Sequence, residues 1–303
     1  MKIQSQSAPN WKRVEASWFQ PMKVNVIVAA YNHEKFIGEC LDNILKQQTN
    51  FEVEILIGED GSSDRTREIV EKYGKQYSDK IKVFLNDPNN VLYIDGHRTG
   101  RLNYIHLLKQ ADGKYAAFCD GDDFWTDPLK LQKQVDFLES HPDFAICFHR
   151  IKIAEMDGNG KAIGSKLSKS VKEITTIKDL AKGNYIAHSS CVFRNKLFKE
   201  FPEWCYRVPI FDWPHHLLNA SYGKIKYINE AMATYRIHQG NYTSSFKPIE
   251  RYKRAIQTFE ICKKHFYPRF RHSFNLGILK LQILIFRYYV RKLIKKGSSC
   301  LNP

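Results

Sequence analysis

The sequence predicts an α/β fold in which a parallel sheet is covered by helices on both faces. Along the first half, short apolar runs rich in β-branched residues alternate with segments whose apolar residues recur at helical spacing. Strands and helices that alternate in this way form parallel sheets with right-handed crossovers. Ligands of such sheets bind beyond the carboxyl ends of the strands, so the polar residues that follow each run form the candidate site.

The first half contains four such apolar runs. The predicted strands cover residues 24–30, 51–57, 81–85 and 115–119, and helical patterns follow at 36–45, up to about 77, and at 99–110. The second half is less regular. There we expect strands at 144–153 and 225–235, a strand and a helix within 189–201, and a helix that begins near Asp212. A polar loop at 236–245 contains glycine and is of the kind that closes over a ligand.

Three carboxylates stand at the end of the fourth apolar run. Asp120, Asp122 and Asp123 follow the predicted strand directly, and residues two positions apart in an extended segment point to the same side. We therefore expect Asp120 and Asp122 to converge on one hard cation, Mg2+ or Mn2+. The alternative is that all three are solvated turn residues and caps. Their mutual repulsion at the mouth of a buried strand favours the metal site.

The composition is that of a folded globular protein, with 43% hydrophobic and 13% aromatic residues. The net charge of +15 is concentrated from residue 250 onward, where thirteen Lys and Arg stand against two Glu. The charge alone admits nucleic acid, an anionic membrane or phosphorylated ligands as partners. The seven cysteines show no zinc spacing, and no apolar stretch reaches about 18 residues. We therefore expect reduced thiols in a cytoplasmic protein without a spanning helix.

Three ordered segments resemble a known family. Residues 26–32 (VIVAAYN), 58–64 (GEDGSSD) and 120–123 (DGDD) resemble the sequence blocks of glycosyltransferase family 2, an inverting family with the GT-A fold. That fold is a Rossmann-like sheet with helices on both faces. The resemblance covers roughly residues 24–245.

The sequence and this resemblance together predict a domain organisation. An N-terminal extension at residues 1–22 would precede a GT-A catalytic domain at 23–245. Within this domain, a nucleotide-sugar half would extend to about residue 125 and an acceptor half from about residue 126. A basic amphipathic helical tail would follow at 246–303 as a C-terminal extension.

The resemblance further implies which residues bind the donor. Asp60 would hydrogen-bond the nucleotide base, usually uracil, and either Arg98 or Arg101 would match a basic position that helps to hold the donor. Asp120 and Asp122 would carry Mn2+ or Mg2+ on the diphosphate. The full set of matching donor positions is Ala30, Tyr31, Asn32, Asp60, Arg101, Asn103, Asp120, Gly121 and His238.

For the reaction itself, Asp212 matches the position of the catalytic base. Sugar transfer needs a carboxylate to take the proton of the acceptor hydroxyl and a cation to neutralise the leaving phosphates. Phe211 stands where the family often has another acid, so a pure helix cap remains an alternative for Asp212. A structural histidine remains an alternative for His238. The Gln-x-x-Arg-Trp motif of processive synthases is absent, which favours one sugar per encounter. We expect a UDP-sugar donor and a glycan or lipid-linked glycan acceptor, in surface polysaccharide synthesis.

The basic tail has two interpretations. Residues 274–296 are rich in Leu, Ile, Phe and Tyr, and Lys280, Arg287 and Arg291 fall along one stripe at helical spacing. This helix either packs on the catalytic domain or lies on anionic lipid at the inner face of the cell membrane. The concentration of charge favours the membrane. Nucleic acid ranks low, because no stacking aromatic residues are interleaved with a basic groove.

Two other functions compete with sugar transfer. The chain could be a catalytically inactive GT-A-like protein that binds membranes or nucleic acid through its basic tail, but the intact carboxylate triplet argues against this. A nucleotidyltransferase would carry a Gly-rich, basic phosphate loop after the first strand. Tyr31, Asn32 and His33 stand there instead.

Overall fold

The computed structural model describes residues 22–241, 243–266 and 268–299. The strands are β1 (Lys23–Ala30), β2 (Glu52–Glu59), β3 (Ile81–Leu85), β4 (Leu92–Ile94), β5 (His97–Thr99), β6 (Tyr115–Phe118), β7 (Phe124–Trp125), β8 (Phe144–Met156), β9 (Ala162–Leu167), β10 (Ile174–Thr175), β11 (Val192–Arg194) and β12 (Lys224–Ile237). The helices are α1 (Ile37–Leu45), α2 (Thr66–Gln76), α3 (Arg101–Gln110), α4 (Lys130–Ser140), α5 (Ile177–Leu180), α6 (Asp212–Ala220), α7 (Pro248–Phe266) and α8 (Arg271–Ser299). All but the last residue of the expected N-terminal extension lie outside the described residues.

The central sheet has the strand order β10-β12-β8-β11-β6-β1-β2-β3. Strands β6, β1, β2 and β3 are parallel, as predicted. The expectation of a parallel sheet throughout is wrong, because β11 runs antiparallel to both of its neighbours, β6 and β8. The chain reaches β11 through the four-residue helix α5 and a 3-10 turn at His188–Ser190. Neither is long enough to form a crossover along the sheet, so this strand is not constrained to run parallel.

Helices cover both faces of the sheet, as the sequence predicts. Alternate residues of β1 point to opposite faces, so that Val26 and Val28 pack under α1, α2 and α4 while Ile27 packs under the other helices. The second layer contains α3, α5 and α6, with α7 and the first turns of α8 against them. This packing fixes the carboxyl ends of β1, β2 and β6 at one edge of the sheet.

Two regions differ from the sequence-based assignment. The stretch expected to be a loop before α3 contains a two-stranded hairpin, β4–β5, whose turn residues Asp95 and Gly96 adopt positive φ angles of 51° and 76°. Within 189–201, the predicted strand is present as β11 but no helix follows it. The described cysteines, six in number, are all buried and unpaired by disulfides. Within the described residues, no helix combines the length and hydropathy needed to cross a bilayer.

Candidate active site

Two adjoining cavities lie beyond the carboxyl ends of β1, β2 and β6. The first, which we name the polar chamber, has a volume of about 440 Å³ and is lined by Ala30, Tyr31 and Asp60 among others. The second, the apolar chamber, has a volume of about 540 Å³ and is lined by residues that include Phe211 and Asp212. Four residues line both chambers: Gly100, Tyr104, Asp120 and Tyr235.

The far end of the polar chamber contains an acidic residue that is paired with an arginine. Arg98 Nη1 lies 2.9 Å from Asp60 Oδ2, and the Arg98 guanidinium lies 3.7 Å from the centre of the Tyr31 ring. Burial raises the pKa of Asp60 above its ordinary range, although the charge of Arg98 opposes this shift. Of the two candidate arginines, Arg98 lines the polar chamber and Arg101 lines the apolar one.

Asn103 lines the polar chamber from α3 and is fixed by the backbone of β2. Its Nδ2 donates to the carbonyl oxygen of Gly58 at 2.8 Å. A Cβ atom at position 58 would lie only 1.7 Å from Asn103 Oδ1. Gly58, the first residue of the second sequence block, therefore leaves room for the side chain of Asn103.

Three other predicted donor residues do not line either chamber. Asn32 has a left-handed backbone, with φ 55°, and its Oδ1 accepts from Ser63 N at 2.8 Å. Gly121 is buried, and its N–H donates to the carbonyl of Ala29 at 3.0 Å. His238 lies beside Asp122 of the carboxylate cluster that is described below. All three support the chamber wall from outside it.

The carboxylate cluster lies between the two chambers. One ligand oxygen each from Asp120, Asp122 and Asp123 can be chosen so that all lie within 4.8 Å of one another. The convergence of Asp120 and Asp122 was predicted from an extended strand, and this reason is wrong. A turn brings them together, in which Asp123 N donates to the carbonyl of Asp120 at 2.8 Å.

Asp120 is the member of this cluster that faces both chambers. Its Oδ1 accepts a short hydrogen bond from the hydroxyl of Tyr104. Burial and the neighbouring charge of Asp122 raise the pKa of Asp120 to about 7. A cation bound here would remove that repulsion and favour the ionised carboxylate.

Asp122 is surrounded by nitrogen donors. Its Oδ2 lies 2.7 Å from Asn241 Nδ2, 3.1 Å from His238 Nε2 and 3.7 Å from His33 Nε2. Because Gly240 N donates to His238 Nδ1 at 3.2 Å, the neutral ring carries its proton on Nε2 and donates it to Asp122. Burial alone would raise the pKa of Asp122, but His33 and His238 lower it below its ordinary value.

Asp123 has a structural task. Its Oδ1 accepts from the backbone N–H of Arg236 at 3.0 Å, and Arg236 Nη1 donates to the carbonyl of Asp122 at 2.9 Å. The same guanidinium pairs with Glu39 of α1. Asp120 and Asp122 are the two carboxylates of the cluster that line the polar chamber, and an all-oxygen pair of this kind would fit Mg2+ or Mn2+.

Asp212 begins α6 and lines the apolar chamber. Phe211 occupies the N-cap position, and the Asp212 carboxylate accepts from its own neighbour, Trp213 N, at 2.8 Å and from Asn184 Nδ2 at 3.0 Å. Burial raises the pKa of Asp212, an effect that His188 partly opposes. The carboxylate thus combines a local structural role with exposure to the chamber.

Comparison with known proteins decides the family. The family model described as glycosyl transferase family 2 matches residues 25–201, more than half of the chain. The chain belongs to glycosyl transferase family 2. Among relatives of this family member, an uncharacterized protein of Mycobacterium tuberculosis is 34% identical over 216 residues, which cover 71% of this chain and 59% of the relative. The chain thus spans about three fifths of that relative.

Solved structures confirm the GT-A fold that was predicted. TarS of S. aureus, residues 1–349 in complex with UDP-GlcNAc, matches with a TM-score of 0.60 and 23% identity, over 86% of this chain and 72% of that 1–349 chain. The mannosyltransferase PcManGT of Pyrobaculum calidifontis, in complex with GDP-Man and Mn2+, matches with a TM-score of 0.58 and 14% identity. That match covers 93% of this chain and 81% of PcManGT.

This family 2 chain also contains buried and half-buried histidines that the sequence analysis did not single out. The half-buried His188 stacks on Phe118 with 3.9 Å between ring centres, and the buried His216 and its neighbour His215 follow in α6, with 6.0 Å between the ring centres of His188 and His216. Burial lowers the pKa of His188 to about 4 and that of His215 to about 3, so both rings are neutral at physiological pH. No sequence signal distinguishes them from solvated helix residues.

Proposed function

We propose that this protein is an inverting glycosyltransferase that moves a sugar from a nucleotide-diphosphate sugar, a UDP-sugar, to an acceptor hydroxyl. One observation carries the proposal. Asp120 lines both chambers. Asp60 and Arg98, which we assign to the nucleotide of the donor, line the polar chamber, and Asp212 lines the apolar one. A donor in the polar chamber and an acceptor in the apolar chamber would therefore meet beside Asp120.

The polar chamber has the groups that a nucleotide diphosphate requires. Tyr31 offers a ring face and Asp60 a buried carboxylate, and Asp120 and Asp122 offer oxygens for a divalent cation. The complexes of TarS with UDP-GlcNAc and of PcManGT with GDP-Man and Mn2+ support this assignment. When bound, the cation would neutralise the charge that develops on the leaving diphosphate.

The apolar chamber supplies the proton acceptor. We assign Asp212 as the base that takes the proton of the acceptor hydroxyl during attack on the anomeric carbon, because it is the carboxylate of α6 that lines this chamber. Its raised pKa makes it a stronger proton acceptor than a solvated carboxylate. Tyr104 holds Asp120 in place, and His238 and Asn241 hold Asp122. Attack opposite the leaving group would invert the anomeric centre.

We further propose that α8 holds the enzyme on the inner face of an anionic membrane, where a lipid-linked or surface glycan is elongated. Phe274 and Ile278 of α8 are buried against the domain. The opposite face of the same helix exposes Leu279 (51%), Ile283 (42%) and Phe286 (68%). Basic side chains at 280, 287 and 291 flank this apolar face. An apolar helix face with a basic flank matches the interface of an anionic bilayer.

Donor binding tests the proposed function directly. Purified protein is titrated with UDP-, GDP- and dTDP-sugars with and without Mn2+, and Asp122→Asn is compared with Asp79→Asn, a change of an exposed aspartate outside both chambers. We expect one donor to bind in a Mn2+-dependent way, and we expect only Asp122→Asn to abolish this binding. Failure of every donor to bind in the presence of Mn2+ would contradict the proposal.

A further inference from the structure

We propose that the apolar chamber accepts a substrate that carries an oxyanion, a phosphate or a carboxylate, and that Arg251 binds it. This inference rests on the proposed function, because it takes the chamber beside Asp212 as the acceptor site. Side chains of both charges line the chamber. The acidic residues are Asp120, Asp123 and Asp212, and the basic residues are Arg101 of α3 and Arg251 and Arg254 of α7.

The two arginines of α7 differ in their engagement. Arg254 is buried, and it contacts Asp95 at 3.3 Å, the carbonyl of Pro209 at 3.4 Å and the ring of Phe246 at 4.5 Å. Arg251 is exposed, and within the described part of the chain its guanidinium has no hydrogen bond or ion pair. Arg254 therefore joins α7 to the β4–β5 hairpin, whereas Arg251 keeps its donors for a ligand.

The donor does not explain why Arg251 lines the apolar chamber. The diphosphate of a donor belongs with the cation ligands Asp120 and Asp122, and Arg251 lines only the apolar chamber. A neutral acceptor needs no guanidinium, since Asp212 handles its hydroxyl and aromatic side chains such as Phe211 offer a surface for its ring. An oxyanion, in contrast, matches the planar fork of an arginine and forms charge-assisted hydrogen bonds that strengthen beside apolar walls.

Several acceptors share this chemistry. The oxyanion could be the phosphodiester of a polyol-phosphate chain, the diphosphate of a lipid-linked sugar or the carboxylate of an acidic glycan. In each case the reacting hydroxyl would lie near Asp212 and the anion near Arg251, within the same chamber. The acceptor would be bound in a single orientation as a result.

The test is a binding titration of the full chain in the presence of UDP and Mn2+. The probes are a glycerol-phosphate oligomer, a short-chain lipid diphosphate sugar, an oligosaccharide with carboxylates and the neutral oligosaccharide of equal length. Each is titrated into the wild type, Arg251→Gln, Arg251→Lys and the control Lys253→Gln, which changes an exposed cation of α7 that does not line the chamber.

We expect at least one anionic probe to bind about ten-fold or more tightly than the neutral oligosaccharide, since hydrogen bonds to charged groups are worth roughly that factor or more. Arg251→Gln should abolish this preference, Arg251→Lys should retain part of it, and Lys253→Gln should leave it at the wild-type value. The anionic probe that shows the preference identifies the source of the oxyanion.

Equal affinities for anionic and neutral probes, or a preference that survives in Arg251→Gln, would overturn the inference. A preference lost equally in Lys253→Gln would overturn it too, because it would reflect the general charge of α7. Neither result affects the proposed function, which fails only if no donor binds with Mn2+. The two failures are therefore distinguishable in the same samples.

Discussion

Replacing Gly58 by alanine should destabilise the protein by disrupting the support of the polar chamber. The added methyl group would lie 1.7 Å from Asn103 Oδ1 and 2.6 Å from its Cγ, far inside van der Waals contact. Asn103 is buried, so its side chain must move and break the 2.8 Å hydrogen bond to the carbonyl of Gly58. Overpacking costs about 1–3 kcal/mol, and a lost buried hydrogen bond costs about 1–3 kcal/mol.

The sum predicts that Gly58→Ala lowers the free energy of unfolding by about 2–6 kcal/mol, a large part of the total stability of a domain. Urea titration followed by circular dichroism measures this change. The control is Gly164→Ala in β9, where an added methyl group meets no atom within 4 Å. This control should change the stability by less than about 1 kcal/mol.

A double-mutant cycle shows whether Asn103 is the cause. If the clash is with this side chain, Gly58→Ala should cost little in the background of Asn103→Ala, which gives a coupling energy of about 2 kcal/mol or more. If Gly58→Ala cost as much in the Asn103→Ala background as in the wild type, the reasoning would be refuted, because the cost would then arise elsewhere. The same would follow if Gly58→Ala were as stable as the Gly164→Ala control.

Three further predictions concern the base, the tail and the buried histidines. Asp212→Asn should retain donor binding but lower kcat by about 10²–10⁴-fold. The wild-type rate should fall as pH drops through the raised pKa of Asp212, and this fall should be absent from the pH–rate profile of the variant. Phe286→Asp should weaken flotation with phosphatidylglycerol vesicles by ten-fold or more, because it removes about 1.5–3 kcal/mol of apolar burial. Ile163 on β9 is equally exposed, and Ile163→Asp should leave flotation unchanged. Equal binding by both variants would exclude α8 as the membrane contact. His216 is buried with a lowered pKa, so its unfolded form takes up a proton below about pH 6.5 and its folded form does not. The stability of the wild type relative to His216→Leu should therefore fall by about 1.4 kcal/mol per pH unit below pH 6.5 in urea titrations, and a pH-independent difference would show that His216 is protonated when folded.

The fold was predictable because its strongest signals are local. Short segments carry the β-branched run of β1 and the helical spacing of α1. These patterns predicted an α/β sheet with helices on both faces, and the structure confirms it. The direction of β11 escaped prediction, because a strand of three residues carries no signal of how it pairs. Its antiparallel direction depends on the pairing partners β6 and β8, which are distant in the sequence.

The candidate site was predictable only where a single segment supplies it. Asp120 and Asp122 belong to one motif, and their approach could be expected although a turn, not a strand, produces it. The choice between Arg98 and Arg101 could not be made, because α3 begins at Arg101 and the two residues enter different chambers. Helix boundaries are a weak point of sequence patterns, and here one boundary decides which chamber a charge enters.

The different roles of the three carboxylates follow from contacts that no local pattern contains. One carboxylate oxygen of Asp123 accepts a hydrogen bond from the backbone N–H of Arg236, which lies 113 residues away in the sequence. Asp122 is oriented by Asn241, which lies 119 residues away. These contacts join the turn that carries the three carboxylates to Arg236 at the end of β12 and to the loop that follows, so the position of this loop and the orientation of Asp122 depend on each other. Replacing Asn241 should therefore weaken the binding of a cation at Asp122, although Asn241 offers no carboxylate of its own.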